Sequence, residues 1–181
     1  MLPRTVEGVL FDTTGVKGVL FVPIPFNPGV DTPNSIDDCH VEYWVHQQPS
    51  RSRSKNIDLY RKTIKINTNN NNILYNIYFA DQTGDFPKNK SIQTMAPNSP
   101  YTTWVGAVLV IKSDEEGHPI ACSGWDTLYI PEAIERLVSI CIEFLITKKV
   151  QIYGKCEDGF TIHKTIYRNK KNEGYNYQLK V

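Results

Sequence analysis

Apolar positions divide the chain into short runs, most of them alternating with the period of two that marks strands. "GVLF" occurs at 8–11 and again at 18–21 around a Thr-Thr-Gly turn, which predicts a hairpin of two similar strands rather than a repeat. "PIPFNPGVDTPN" follows with Pro23, Pro25, Pro28 and Pro33. Proline fixes φ and removes a backbone donor, so this stretch reads as an extended connector, not a central strand.

From Asp38 to Val45 the alternation predicts another strand. Cys39, Val41, Tyr43 and Val45 would share one face, and His40, Glu42, Trp44 and His46 the other. "IDLYRKTIKI" and "ILYNIYFA" are rich in Ile, Tyr and Thr, and "NTNNNN" between them can close a long hairpin, because asparagine tolerates left-handed backbone angles. Residues 81–100 read as a covering loop, and "TWVGAVLVIK" as a strand buried on both faces. Asp158-Gly159 signals a hairpin, and Tyr175, Tyr177, Leu179 and Val181 alternate like a one-sided final strand.

One segment has helical period. Ile134, Leu137, Val138, Cys141, Ile142 and Leu145 recur at steps of three and four. Pro131 stands near the first turn with Glu132 and Glu135 behind it, and Lys148 and Lys149 close the far end, as the helix dipole favours. The expected architecture is α+β: a mainly antiparallel sheet with one principal helix, about 131–147, packed on it, in a single domain spanning 1–181.

The bulk composition narrows the picture only at its edges. At 181 residues the chain can bury a full core without a disulfide or metal staple. Its formal net charge of +1 provides no overall field to draw nucleic acid or membrane. Cys39, Cys122, Cys141 and Cys156 form no C-x-x-C pair, which argues against a zinc ribbon and for four reduced thiols. "MLPRTVEGVL" lacks a basic region followed by an apolar core, and Glu143 interrupts the longest apolar run, so a cytoplasmic or nuclear location without membrane contact is expected.

Candidate chemistry centres on 34–47. His40 and Glu42, two apart on a strand, could share one divalent metal in a metal-dependent hydrolase or nuclease, with a third ligand such as Asp81 or Asp126 supplied from elsewhere. His46 would lie about 20 Å along the strand from His40, too far to join them. The H-x-E spacing lacks the downstream P-C-x-x-C of a zinc deaminase. Cys39 and His40 would point to opposite faces and make a poor nucleophile–base pair. Cys122, near His118, Gly124 and Asp126, matches no nucleophile motif. Asp114, Glu115 and Glu116 before Gly117 could bind Ca²⁺ or Mg²⁺ but have the composition of a solvated turn.

The charge is segregated along the chain. Residues 51–65 carry six basic side chains against one acid, and 147–181 carry eight against three, +5 in each segment. Residues 112–143 carry two against seven, −5, and 30–45 carry four acids. The basic segments, with Arg61, Lys62, Lys164 and Tyr167 as contact residues, could bind nucleic acid by phosphate pairing and base stacking. Lysine on strand edges also blocks sheet-to-sheet aggregation, and the opposite-sign segments could face each other or drive head-to-tail self-association. With no catalytic motif present, the leading expectation is a non-enzymatic binding module without a cofactor. Its partner would be another protein or a second copy, met through loops at 23–37, 47–56 and 81–100 and through Trp44 and Trp104.

Overall fold

The computed structural model describes residues 5–13, 19–30, 34–45, 57–68, 72–80, 86–95, 104–148 and 161–166. Among these residues seven strands make one sheet: β1 (Thr5–Phe11), β2 (Leu20–Pro25), β3 (Ile57–Asn67), β4 (Asn72–Ala80), β5 (Val108–Ser113), β6 (Pro119–Ile120) and β7 (Thr161–Ile166). The order is β2-β1-β5-β4-β3-β7, with β6 paired to β5, and every ladder is antiparallel. The α+β expectation holds. The β3–β4 hairpin forms as the Asn-rich spacer predicted, and "VLVIKS" supplies the interior strand between β1 and β4.

The principal helix, α3 (Ile130–Lys148), buries Ala133, Ile134, Leu137 and Val138. These pack against Val9, Ile64, Ile66, Tyr75, Ile77, Val108 and Val110 from one face of the sheet. Burying a side chain such as Ile134 or Leu137 is worth about 1.5–3 kcal/mol. The opposite face, with Val6, Leu10, Val22, Ile24, Tyr78, Leu109 and Ile111, packs on Ile36, Cys39, Val41 and Val45. The sheet is therefore covered on both sides, which is why β5 reads as an unbroken apolar run.

Two local expectations are overturned. First, 38–45 is not a strand: a 3-10 turn at Ile36–Asp38 leads through Cys39, which bridges Phe26, into a short helix, α1 (Glu42–Val45). Ser35 and Asp38 form a capping box, in which the Asp38 carboxylate accepts from the Ser35 N–H at 3.0 Å and the Asn34 N–H at 3.1 Å. The burial of Cys39, Val41 and Val45 is as expected, by another geometry. Second, the covering loop contains a helix, α2 (Lys90–Met95). Asn89 caps it by accepting from Ile92 N–H at 3.2 Å, while its own amide donates to Phe11 and Gly106 carbonyls at 2.9 Å each.

The proline-rich connector is no central strand, as expected: its first residues, through Pro25, extend the edge strand β2. Pro23 and Pro25 face Glu7 and Thr5 in the β1–β2 register, so the donors toward β1 come from the alternate residues Val22 and Ile24. The prolines thus stand where the edge would otherwise offer free N–H groups. Their outward carbonyls are also taken: Trp44 Nε1–H donates to Pro23 O at 3.0 Å and His40 N–H to Pro25 O at 2.7 Å. The terminal hairpin at Asp158-Gly159 and the expected last strand lie outside the described residues.

Candidate functional site

The binding residues expected from sequence separate in space. Trp104 is not an exposed anchor: it is 4% exposed and packs edge-on to Phe79, with centroids 5.4 Å apart, in the layer under α3. Trp44 is partly buried, and its indole N–H is committed to the β2 edge. Arg61 pairs with Asp37 and also meets the Tyr78 hydroxyl. Lys62 lies on β3, and Lys164 on β7 stands opposite Leu59. Tyr167 and His46 fall outside the described residues.

His40 and Glu42 do come together, with Nε2 3.6 Å from Oε2, although through a turn rather than a strand face. Neither joins a three-donor cluster among the described residues. Of the two acids considered as a third ligand, Asp81 lies outside the described residues, and Asp126 is engaged elsewhere. The donor set that does converge is Asp114, Glu116 and His118 on the β5–β6 turn, whose ligand atoms lie within 4.8 Å of one another. They could hold one divalent ion, but the turn's own bonds also account for the arrangement. Asp114 accepts from the Glu116 and His118 N–H groups at 3.0 and 2.8 Å and meets His118 Nδ1 at 2.9 Å, interactions that hold its carboxyl below the usual range despite the opposing cost of desolvation.

The most constrained polar group is Asp126, 2% exposed at the foot of a 3-10 helix, Gly124–Leu128, that leads into α3. Tyr75 O–H donates to its Oδ1 at 2.7 Å, and Ser123 N–H and Oγ–H donate to Oδ2 at 2.7 and 3.0 Å. Lys112 Nζ stands 3.1 Å from Oδ1. Burial opposes the charge, but these donors outweigh it and hold the carboxyl below its ordinary range. The same burial and the bond to Asp126 push the Tyr75 hydroxyl upward. This carboxylate is a clasp and not a base: every strong donor around it stabilises the anion.

The clasp sets what its helix displays. Residues three apart on a 3-10 helix eclipse, so Trp125 and Leu128 project on the same side. They are 77% and 65% exposed. Ile120, on the strand leading into this segment, is 39% exposed, so three of the four exposed large hydrophobics among the described residues fall within 120–128. Sequence reading passed over Trp125. Ser123-Gly124-Trp125-Asp126 has the same S-x-x-D capping signature as Ser35–Asp38, and that spacing was the available signal.

The two thiols among the described side chains are structural. Cys39 and Cys122 are buried and free, and burial with nearby carboxylates pushes each up to about 12. Neither thiolate is populated at neutral pH. Both should therefore resist an aromatic disulfide reagent at pH 8 in the folded protein and react at once in denaturant. Fast labelling of either in the native state would contradict this assignment.

Comparison with known proteins adds no relative to this geometry: no family model, no curated protein and no solved structure matches the chain. No helix among the described residues is long and apolar enough to cross a membrane.

Proposed function

We propose that this chain is a non-enzymatic protein-interaction module whose contact surface is the Trp125–Leu128 pair. The observation that carries the reading is the mounting. Two large apolar side chains stand in solvent on a helix whose only buried polar residue is clamped by the Tyr75 hydroxyl, Ser123 and Lys112. Apolar surface held rigidly outward loses little conformational entropy on binding. Tryptophan is also, with tyrosine and arginine, enriched among the residues that carry interface energy. The chemistry of the ionisable groups fits the same reading. Asp126 is locked as an anion, and the Cys39 and Cys122 thiols are held protonated, so none of the three is poised for proton transfer or attack.

The nucleic-acid reading draws less support, because Arg61 and Lys65 of the 51–65 segment pair with Asp37 and Glu115. Nucleic-acid affinity falling steeply from low to moderate salt, and weakened by Lys62→Glu, would restore it.

The test is a pair of variants. Trp125→Ala and Leu128→Ala remove exposed side chains, so each should leave the melting temperature within about 2 °C of the parent, a change of under ~1 kcal/mol. Both should abolish recovery of partner proteins from a native lysate. Undiminished recovery by the double variant would falsify the assignment of this surface.

A further inference from the structure

We infer that the Trp125–Leu128 surface takes a basic segment of another protein, one that carries an apolar anchor among its lysines or arginines. This rests on the interaction-module reading and gives the partner a chemistry. Two observations carry it: the exposed apolar side chains share one face of the sheet, and the charge left open around them is acidic. Partners across an antiparallel ladder project to the same face. Phe21 stands opposite Val9, which lies in the layer under α3. Ile120 stands opposite Lys112, and Lys112 opposite Tyr75 of that same layer. Asp126 is held by Tyr75 and Lys112, so the 3-10 helix rests on this row and displays Trp125 and Leu128 from the same side. All four exposed large hydrophobics among the described residues therefore stand on the α3 side of the sheet, and none on the other.

The bases around this surface are already matched: Lys112 with Asp126, Lys65 with Glu115 and Arg136 with Glu132. The remaining acids are not. Glu7 is exposed and lies two residues from Val9, on the same face. Its carbonyl accepts from Cys122 N–H at 2.8 Å, which sets it beside the start of the 3-10 helix. Asp114 and Glu116 share one imidazole, His118, on the turn that begins two residues, about 7 Å, past Lys112. Glu135 is exposed on α3, one turn beyond Glu132. Among the described residues no lysine or arginine pairs with any of these four.

An apolar centre with an acidic rim selects its occupant. The apolar anchor supplies most of the affinity, and basic groups set over the rim supply specificity and encounter rate. The same acids repel the phosphates of nucleic acid and of anionic lipid. In a two-fold contact between copies they would face one another, which disfavours a second copy as the occupant. Rim charges in solvent are screened by salt, so binding weakens as salt rises.

Fluorescence anisotropy of labelled synthetic peptides, titrated with the full chain, tests this. The probe is a short peptide of lysine and leucine, set against one with glutamate for lysine and one with serine for leucine. The expected result is saturable binding of the lysine–leucine peptide alone, weakening as salt rises. Trp125→Ala should weaken it about 30-fold, as for an interface hot spot. Glu7→Lys with Glu135→Lys, which spares the tryptophan, should weaken it about tenfold, and circular dichroism checks that each variant is folded. No saturable binding of the lysine–leucine peptide overturns the inference, as does equal binding of the glutamate peptide or binding that both sets of variants leave unchanged. Dimerisation of the chain that Trp125→Ala abolishes overturns it in favour of a second copy. If the peptide fails yet Trp125→Ala loses a partner from a native lysate, the basic chemistry fails and the interaction module stands. If Trp125→Ala changes neither, both fail.

Discussion

Asp126→Asn is expected to cost about 3 kcal/mol of folding stability at neutral pH. The change keeps the shape and removes the charge, replacing an acceptor of charge-assisted bonds with an amide that must donate as well as accept. Tyr75, buried at 0% exposure, then loses its anionic acceptor, and Lys112 loses its counter-ion. Bonds to a charged group are worth about 1.5–3 kcal/mol, and disrupting a buried ion pair at one partner about 3–5 kcal/mol. The Lys112 side chain keeps some access to water, which places the total at the lower end. For a chain of this size that corresponds to a melting temperature lower by about 6–12 °C.

The pH dependence isolates the cause. The folded-state pKa of Asp126 is depressed, so its contribution is fully present above the unfolded value of about 3.9 and is lost as pH falls through the folded value. The gap between parent and variant should therefore be widest at pH 7 and narrow below about pH 4. Denaturant titrations at pH 7 and in acid measure it. A gap of equal size at both would mean that packing, and not charge, accounts for the loss.

Gly8→Ala is expected to cost about 3 kcal/mol, near the top of the usual range for adding a methyl group to a filled core. Gly8 lies in β1, opposite Val22. A Cβ there would overlap Ile24 Cδ1 and come within 2.9 Å of the Val110 carbonyl oxygen. The isoleucine tip can rotate, but the carbonyl belongs to the β5 backbone and can yield only if β1 and β5 separate. Urea unfolding should show a lower midpoint with an unchanged slope, the sign of lost stability without a change in the surface exposed. A cost below ~1 kcal/mol would mean that the sheet adjusts at this point.

Residues whose partners are near in sequence, or whose pattern is long, were legible. The period of Ile134, Leu137 and Val138 located α3 within a residue or so of its observed ends, and the Asn-rich spacer located the β3–β4 hairpin. The 38–45 segment misled for a definite reason. Val41 and Val45 are four apart, a spacing that returns to the same face in both a strand and a helical turn, so their burial could not distinguish the two. The S-x-x-D caps could have, since a capping box marks a helical start. Trp104 and Trp125 differ in ways the local pattern does not carry. One is buried against Phe79, while the other rides on a turn fixed by residues as distant as Tyr75. Asp126 is the same case: an acid beside glycine and tryptophan reads as solvated until the tyrosine and lysine that hold it are in place.

The guarded rim of β2 also bears on how this protein fails. An open strand border recruits other chains at high concentration, whatever its side chains, and natural sheets blunt such borders. Here that work falls to two imino acids of β2 itself and to one indole and one main-chain amide from the single short stretch 34–45. Oxidation of Trp44, which is only partly buried, would unmask the strand while leaving the core residues Ile36, Cys39, Val41 and Val45 in place. The consequence is a molecule that stays folded yet begins to precipitate, with solubility declining before any loss of thermal stability is measurable.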